Sequence, residues 1–241
     1  DESSVDNDII SKNRKDGILL SSYGTANILD YACSINVDKF IFFSTLQVYG
    51  SELKGHYSEN SNLNPQNDYA LNHIFGEQYC KFFSKQKKIK TVIIRPSNVY
   101  GPFLTKKLDR WTLVPGCFCR EIINKRSITL NSSGNQFRNF ISLDQICNAI
   151  DSICSLPLKN DHTILNLISK DNYTILEIAN LVKEQYQKIY NESASIIVKS
   201  DFPKKSNKFS FSYEKLESMG IDFSIGESDP EKQIRSIFSL F

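Results

Sequence analysis

The sequence predicts an α/β fold in which a parallel sheet is covered by helices on both faces. Two observations carry this reading. Phe40–Phe43 and Thr91–Ile94 are apolar runs of strand length without polar alternation, the pattern of strands buried on both faces. Around them lie stretches whose apolar residues recur at helical spacing, so strands and helices alternate along the chain. In such sheets ligands bind at the carboxyl ends of the strands.

Thr25 to Asn36 reads as a helix with Ile28, Leu29, Ala32, Cys33 and Ile35 on one face. Phe40–Phe43 is expected to be a fully buried strand. Residues 50–68 read as a loop, with Gly50, Gly55 and Pro65 among Asn and Ser. A helix is expected from Tyr69 to about Lys85, then a buried strand over Thr91–Ile94 that Arg95-Pro96 stops. Val114 to about Asn124 reads as a helix with Pro115 near its start, and Ile128–Leu130 as a short strand. Asp144 is expected to cap a helix to about Ser155, with Ile146, Ala149, Ile150 and Ile153 inward. Ile164–Ile168 is another strand. Thr174 and Glu177 form a capping box ahead of a stripe of Ile175, Ile178, Ala179, Val182, Tyr186 and Ile189. Beyond that helix the pattern weakens.

Composition narrows the function. The chain has 241 residues, 40% hydrophobic and 12% aromatic, enough for a folded core. Its net charge of +2 gives no general attraction to nucleic acid or to a membrane surface. The run Lys85-Gln86-Lys87-Lys88 reads as a solvated helix end. No apolar run approaches the ~20 residues that span a bilayer, and no signal peptide is legible. The six cysteines, Cys33, Cys80, Cys117, Cys119, Cys147 and Cys154, include no CxxC pair and fall mostly on apolar faces. They read as reduced core thiols of a cytoplasmic protein, and no metal is expected. His56 and His162 read as loop residues without metal-ligand spacing.

Ser44-Thr45 and Arg95-Pro96-Ser97-Asn98 emerge from the buried strands at the same sheet edge, which marks a site. Tyr69 opens the following helix, and His73 lies one turn on, on the same face. A tyrosine transfers protons near neutral pH only when its pKa falls well below ~10. A neighbouring positive charge does this by favouring the phenolate. Thr45 is placed to hydrogen-bond a substrate oxygen whose proton Tyr69 moves. Taken alone, Thr45 reads first as a cap for the loop backbone; the spacing to Tyr69 turns the reading towards function.

These segments resemble an extended short-chain dehydrogenase/reductase of the nucleotide-sugar epimerase/dehydratase family. Phe43–Gly50 (FSTLQVYG) resembles its S-[ST]-x-x-V-Y-G segment, and Tyr69–His73 stands at its Y-x-x-x-K, with Glu77 fitting the pattern that follows. Arg95–Pro102 (RPSNVYGP) resembles its R-x-x-N-x-x-G-P turn. Gly134–Asp144 (GNQFRNFISLD) resembles its G-x-x-x-R-x-F-I-x-V-D segment, and Gly24–Leu29 its G-T-x-N-L-L helix start. The resemblance runs in order from about Ser21 to about Leu181.

The resemblance implies a Rossmann-like doubly wound parallel sheet, N-terminally incomplete, with a smaller C-terminal α+β substrate domain. Residues 1–101 and 137–168 would be the remainder of the dinucleotide-binding domain, and 102–136 and 169–241 the substrate-binding domain. Thr45, Tyr69 and His73 would be catalytic. Ser44, Tyr69, His73 and Pro96 would contact NAD or NADP. Asn98, Leu113 and Arg138 would bind a nucleotide sugar, Arg138 through a guanidinium fork suited to diphosphate oxygens. A homodimer through the Tyr69 helix is also implied, and a setting in polysaccharide biosynthesis.

The chain departs from the family pattern. It holds no Gly-rich phosphate loop, so that turn, the first strand and the acidic ribose contact are expected before residue 1. Ser21 stands where the pattern has asparagine, and His73 where it has lysine. A histidine with a pKa near ~6.5 is mostly neutral at pH 7 unless a carboxylate raises it. Leu46 and Gln47 stand where the family's 4,6-dehydratases carry Asp-Glu, which disfavours water elimination. The expected activity is an NAD(P)-dependent nucleotide-sugar epimerase or reductase. The alternative is a catalytically impaired member that binds a nucleotide sugar or a protein.

Overall fold

The computed structural model describes residues 13–86, 89–102, 111, 113–199, 207–221 and 228–241. Helix α1 (Arg14–Ile18) runs through a π-helical turn (Leu19–Gly24) into α2 (Thr25–Ser34). Strand β1 (Lys39–Phe43), a 3-10 turn (Leu46–Tyr49) and β2 (Gly55–Tyr57) lead to the long α3 (Asp68–Lys85). Then come β3 (Lys90–Pro96), β4 (Asn98–Tyr100), α4 (Gly116–Lys125), β5 (Ser127–Leu130), β6 (Phe137–Ser142) and α5 (Leu143–Ser155). They are followed by β7 (His162–Leu167), β8 (Asn172–Thr174), α6 (Ile175–Tyr190) and β9 (Ser195–Val198). The last elements are β10 (Phe209–Phe211), α7 (Glu214–Ser218) and α8 (Pro230–Phe238).

The sheet that positions the site is parallel, in the order β1-β3-β7. On one face, Leu29 and Ala32 of α2 and Cys80 and Phe83 of α3 pack on Ile93. On the other, Ile146, Ala149 and Ile153 of α5 and Leu216 of α7 pack on Val92, Ile94 and Leu165. Helix α3 crosses β1 so closely that a Cβ at Gly76 would collide with the ring of Phe42. The sheet is therefore doubly wound, as expected.

A separate core is built by α4, α6 and α8, where Phe118, Ile122, Ile178, Val182, Ile234 and Phe238 pack together. Strand β5 pairs with β9 in parallel, β6 joins β4 to the antiparallel β8, and β2 pairs with β10. The last pairing ties the loop after β1 to the C-terminal region.

Several expectations change. β1 is half-buried rather than fully buried, with Phe43 49% exposed. It pairs with β3 on one side and with no other strand among the described residues. Ile28 and Ile35, expected to face inward, are 57% and 54% exposed. Ile189 likewise turns outward from α6. β3 runs past Ile94, so that Arg95 lies within the strand and is buried, and it ends at Pro96. Ser142, not Asp144, caps α5, because its hydroxyl accepts from the Gln145 amide while the Gln145 side-chain oxygen accepts from the Ser142 amide. Thr174 and Glu177 form the same box on α6.

His56 and His162 lie in strands rather than loops. Nδ1 of His162 is 2.8 Å from Thr91 Oγ1, and Nδ1 of His56 is 2.9 Å from Ser210 Oγ. All six cysteines are free thiols; Cys80 and Cys119 are buried, while Cys147 and Cys154 are exposed. Burial pushes the Cys80 thiol up to about 12, so it stays protonated. Among the described residues, no helix is long and apolar enough to cross a membrane. Lys87 and Lys88 lie outside the described residues.

Candidate active site

Strand β1 ends at Phe43, and the Ser44 amide continues the ladder by donating to the Ile94 carbonyl. Thr45, in extended conformation, then starts the 3-10 turn, its hydroxyl oxygen accepting from the Gln47 amide at 3.2 Å. Thr45 does cap the loop. A hydroxyl that accepts one bond still has its proton to donate, so the cap leaves Thr45 able to serve a substrate oxygen.

The turn is joined to α3. The Gln47 side-chain oxygen accepts from Asn67 Nδ2 at 3.0 Å, and Asn67 Oδ1 caps α3 by accepting from the Ala70 amide at 2.7 Å. Asp68, beside Tyr69, takes a two-pronged bond from Arg14 of α1. Tyr69 and His73 are half-buried on α3, their rings edge to face with centroids 4.5 Å apart. Phe42 packs on the other side of His73, at 6.1 Å. The turn that carries Thr45 and the helix that carries Tyr69 and His73 are thus bonded to each other at one sheet end.

Ser44 is turned inward. Its hydroxyl donates to Glu77 of α3 at 2.5 Å, so any cofactor contact from Ser44 falls to its backbone. Glu77 is held by Arg95 through Nε at 2.9 Å and Nη2 at 2.6 Å, with both side chains buried. Arg95 Nη1 donates to the Tyr49 hydroxyl at 2.7 Å, and that hydroxyl donates to Asn166 Oδ1 at 2.8 Å. Burial works against the Arg95 charge, but its bonds to Glu77 and Tyr49 outweigh burial and hold its pKa above the ordinary value. Burial likewise pushes the Tyr49 phenol up, against the pull of Arg95, so it stays a neutral donor.

Pro96 ends β3, and Asn98 opens β4 beyond it. The Asn98 amide donates to the Asn139 carbonyl at 2.9 Å, fixing β4 to β6 next to Arg138. Arg138 is exposed and donates from Nη1 to the Phe137 carbonyl. Leu113 is half-buried ahead of α4, its carbonyl accepting from the Cys117 amide. Ser44 and the turn that carries Thr45 are therefore bonded to the helix that carries Tyr69 and His73, Pro96 and Asn98 lie at the neighbouring strand end, and Leu113 on another element.

The model of the NAD dependent epimerase/dehydratase family matches residues 12–167. The chain belongs to that family. It is 29% identical over 202 residues to the dTDP-D-glucose 4,6-dehydratase of Mus musculus, covering 82% of this chain and 55% of the relative. The chain spans about half the length of the curated relatives it matches. The UDP-glucose 4-epimerase of Thermotoga maritima, solved with UDP-glucose, superposes with a TM-score of 0.79 at 20% identity, over 98% of this chain and 73% of that one. The UDP-glucuronic acid 4-epimerase of Bacillus cereus, solved with NAD, gives 0.74 at 20% identity, over 91% and 64%. These two likenesses establish the Rossmann-type fold.

Sequence reasoning missed Asn67, Gln47, Tyr49, Glu59 and Asn166 as members of the site's framework. Their partners lie far along the chain, where no periodicity points. Asn67 ahead of an amphipathic stretch was the one local sign, as a helix cap.

Proposed function

We propose that this family member is an NAD(P)-dependent nucleotide-sugar epimerase or reductase, with Thr45 and Tyr69 as its hydroxyl pair. The observation that carries the reading is the bonded path from Thr45 through Gln47 and Asn67 to the head of the helix bearing Tyr69. It ties the turn that carries Thr45 to the head of the helix that carries Tyr69, at the carboxyl end of a parallel sheet, where ligands of such sheets bind.

The residues present fit the nicotinamide side of the cofactor. Ser97, at the end of β3, is 8% exposed, and its hydroxyl has no hydrogen-bond partner among the described residues. An unsatisfied buried hydroxyl costs about 1–3 kcal/mol, which a polar ligand group offsets. Ser44, Tyr69, His73 and Pro96 would flank the ring and its ribose. NAD or NADP, when bound, accepts and returns a hydride. Tyr69 takes the proton of the sugar hydroxyl and returns it, while Thr45 donates to the same oxygen and orients it. Asn98, Leu113 and Arg138 would hold the nucleoside diphosphate, Arg138 by its fork.

Epimerisation or reduction is favoured over dehydration. Leu46 is buried among Val48, Tyr49 and Ile168, and Gln47 is tied to Asn67. Neither supplies the acid or base that water elimination needs. The division into 1–101 with 137–168 and 102–136 with 169–241 is part of this proposal, although Leu216 and Ile221 of the second part pack on the sheet of the first. The free thiols support a cytoplasmic location.

A second copy is proposed on the outer face of α1–α3. Leu20, Tyr23, Tyr31 and Phe82 are 78%, 64%, 66% and 53% exposed there, beside a groove lined by Ile18, Phe75 and Tyr79. Patches of this kind mark interfaces.

The function is tested by Tyr69→Phe, which keeps the ring and removes the proton donor. Turnover of nucleotide sugars falls by roughly 10²-fold or more, with unchanged far-UV circular dichroism; retained turnover sinks the assignment. The impaired-member reading draws on His73, packed between Tyr69 and Phe42. An inert wild type that gains nothing from His73→Lys supports it.

A further inference from the structure

We infer that Glu77 and Arg95 are positioning residues, which set the placement of Thr45 relative to Tyr69. This rests on the hydride-transfer reading of the same site. The pair touches no residue expected to contact substrate except through Ser44, the immediate neighbour of Thr45.

Four observations carry the inference. Both side chains are almost wholly buried, 2% exposed for Arg95 and 3% for Glu77. Their bonds run outward to the elements on either side of Thr45 and to the helix of Tyr69. Glu77 belongs to α3 and takes the Ser44 hydroxyl at the end of β1. Arg95 belongs to β3 and reaches the Tyr49 hydroxyl at the end of the 3-10 turn. Tyr49 passes the connection to Asn166 of β7, whose amide donates to the Glu59 carboxylate in the loop after β2 at 3.0 Å. Thr45 lies between Ser44 and that turn, and Tyr69 lies two turns ahead of Glu77 on α3.

The energetics point the same way. A buried ion pair stabilises little, because desolvating two charges offsets their attraction, and well-packed apolar replacements are often as stable. A network of directional bonds does what an apolar core does not: it fixes angle and register. Catalytic geometry needs that, since a displacement of about 1 Å costs roughly 10²-fold in rate.

The test compares the full chain with Glu77→Leu/Arg95→Met, which removes both charges together, and with Tyr49→Phe, which removes one bridging hydroxyl and keeps the ring. Each is followed by thermal unfolding, amide hydrogen exchange, and kcat and KM with a nucleoside diphosphate hexose and NAD. The double variant is expected to unfold within a few degrees of wild type. Its kcat falls about 10²-fold with KM changed less than about threefold, and exchange quickens at residues 44–50 and 68–73 while the α4–α6–α8 core is unchanged. Tyr49→Phe is expected to follow in the same direction with a smaller loss of kcat. Undiminished kcat in a folded variant overturns the inference, as does exchange that quickens evenly through the chain. Should the double variant not fold, Tyr49→Phe decides in the same terms. If wild type turns over no nucleotide sugar, the proposed function fails by itself. The exchange pattern then still reports whether the pair fixes residues 44–50 and 68–73.

Discussion

Tyr69 and His73 meet edge to face on one side of α3, and the residue beside a phenol sets how readily it ionises. A lysine at position 73 carries its charge throughout the neutral range, and an opposite charge within ~4–6 Å moves a pKa by about 1–3 units. His73→Lys is therefore expected to move the acid limb of the pH–rate profile down by about one unit. A limb that stays in place argues against Tyr69 as the titrating base. His162 gives a second prediction, about stability. Burial lowers its pKa to about 4, from an ordinary value of 6.5. The unfolded chain thus takes up the proton first as pH falls. The stability that goes with a neutral His162 is full above pH 6.5 and is lost progressively towards pH 4. Urea midpoints measured across that range should fall, and His162→Gln should flatten the fall. At this scale the sequence was informative where chemistry is local. Thr45, Tyr69 and the Thr174–Glu177 box stand out because their neighbours explain them. Arg95 looked like the end of a strand because its partner, Glu77, is eighteen residues earlier and reaches it only in the fold.

Among the elements, the contact between β1 and α3 decides most. Gly76 lets the helix lie against Phe42, and Phe42 in turn packs on His73. Gly76→Ala gains helix propensity, about 1 kcal/mol, but drives a methyl group into the ring. The net result is expected to be a loss of about 1–3 kcal/mol, the usual cost of overpacking. Phe42→Leu in the same chain should recover much of it, a coupling that a double-mutant cycle with urea unfolding measures. Additive effects would mean that the two residues do not press on each other. Apolar periodicity located these elements to within a few residues. It also overstated burial, as for β1, Ile28 and Ile35, because a stripe shows which face is apolar but not whether this chain covers it. The cap of α5 was misplaced by two residues for a related reason: Ser142 and Asp144 are both good capping types, and only the returned bond to Gln145 distinguishes them.

For the whole molecule, the apolar face of α1–α3 is a feature the described residues leave uncovered. The proposed second copy would bury Leu20, Tyr23 and Phe82, so light scattering should give twice the monomer mass, and Leu20→Lys with Phe82→Lys should halve it. A monomeric wild type at micromolar concentration contradicts that interface. The doubly wound sheet and the family were both legible in the sequence, because ordered motifs at strand ends survive where overall identity is low. The match to residues 12–167 falls close to the stretch those motifs delimited. Substrate identity was not legible, since residues such as Leu113 and Arg138 say only that something anionic and flat fits near them. The most direct measurement is proton NMR of UDP- and dTDP-hexoses incubated with NAD and either the wild type or Tyr69→Phe. The account predicts a C4-inverted sugar from the wild type, or, when a 4-keto sugar nucleotide and NAD(P)H are supplied instead, its reduced form, and roughly 10²-fold less, or none, from the variant. Equal turnover by both, or release of a 4-keto-6-deoxy sugar, would contradict it.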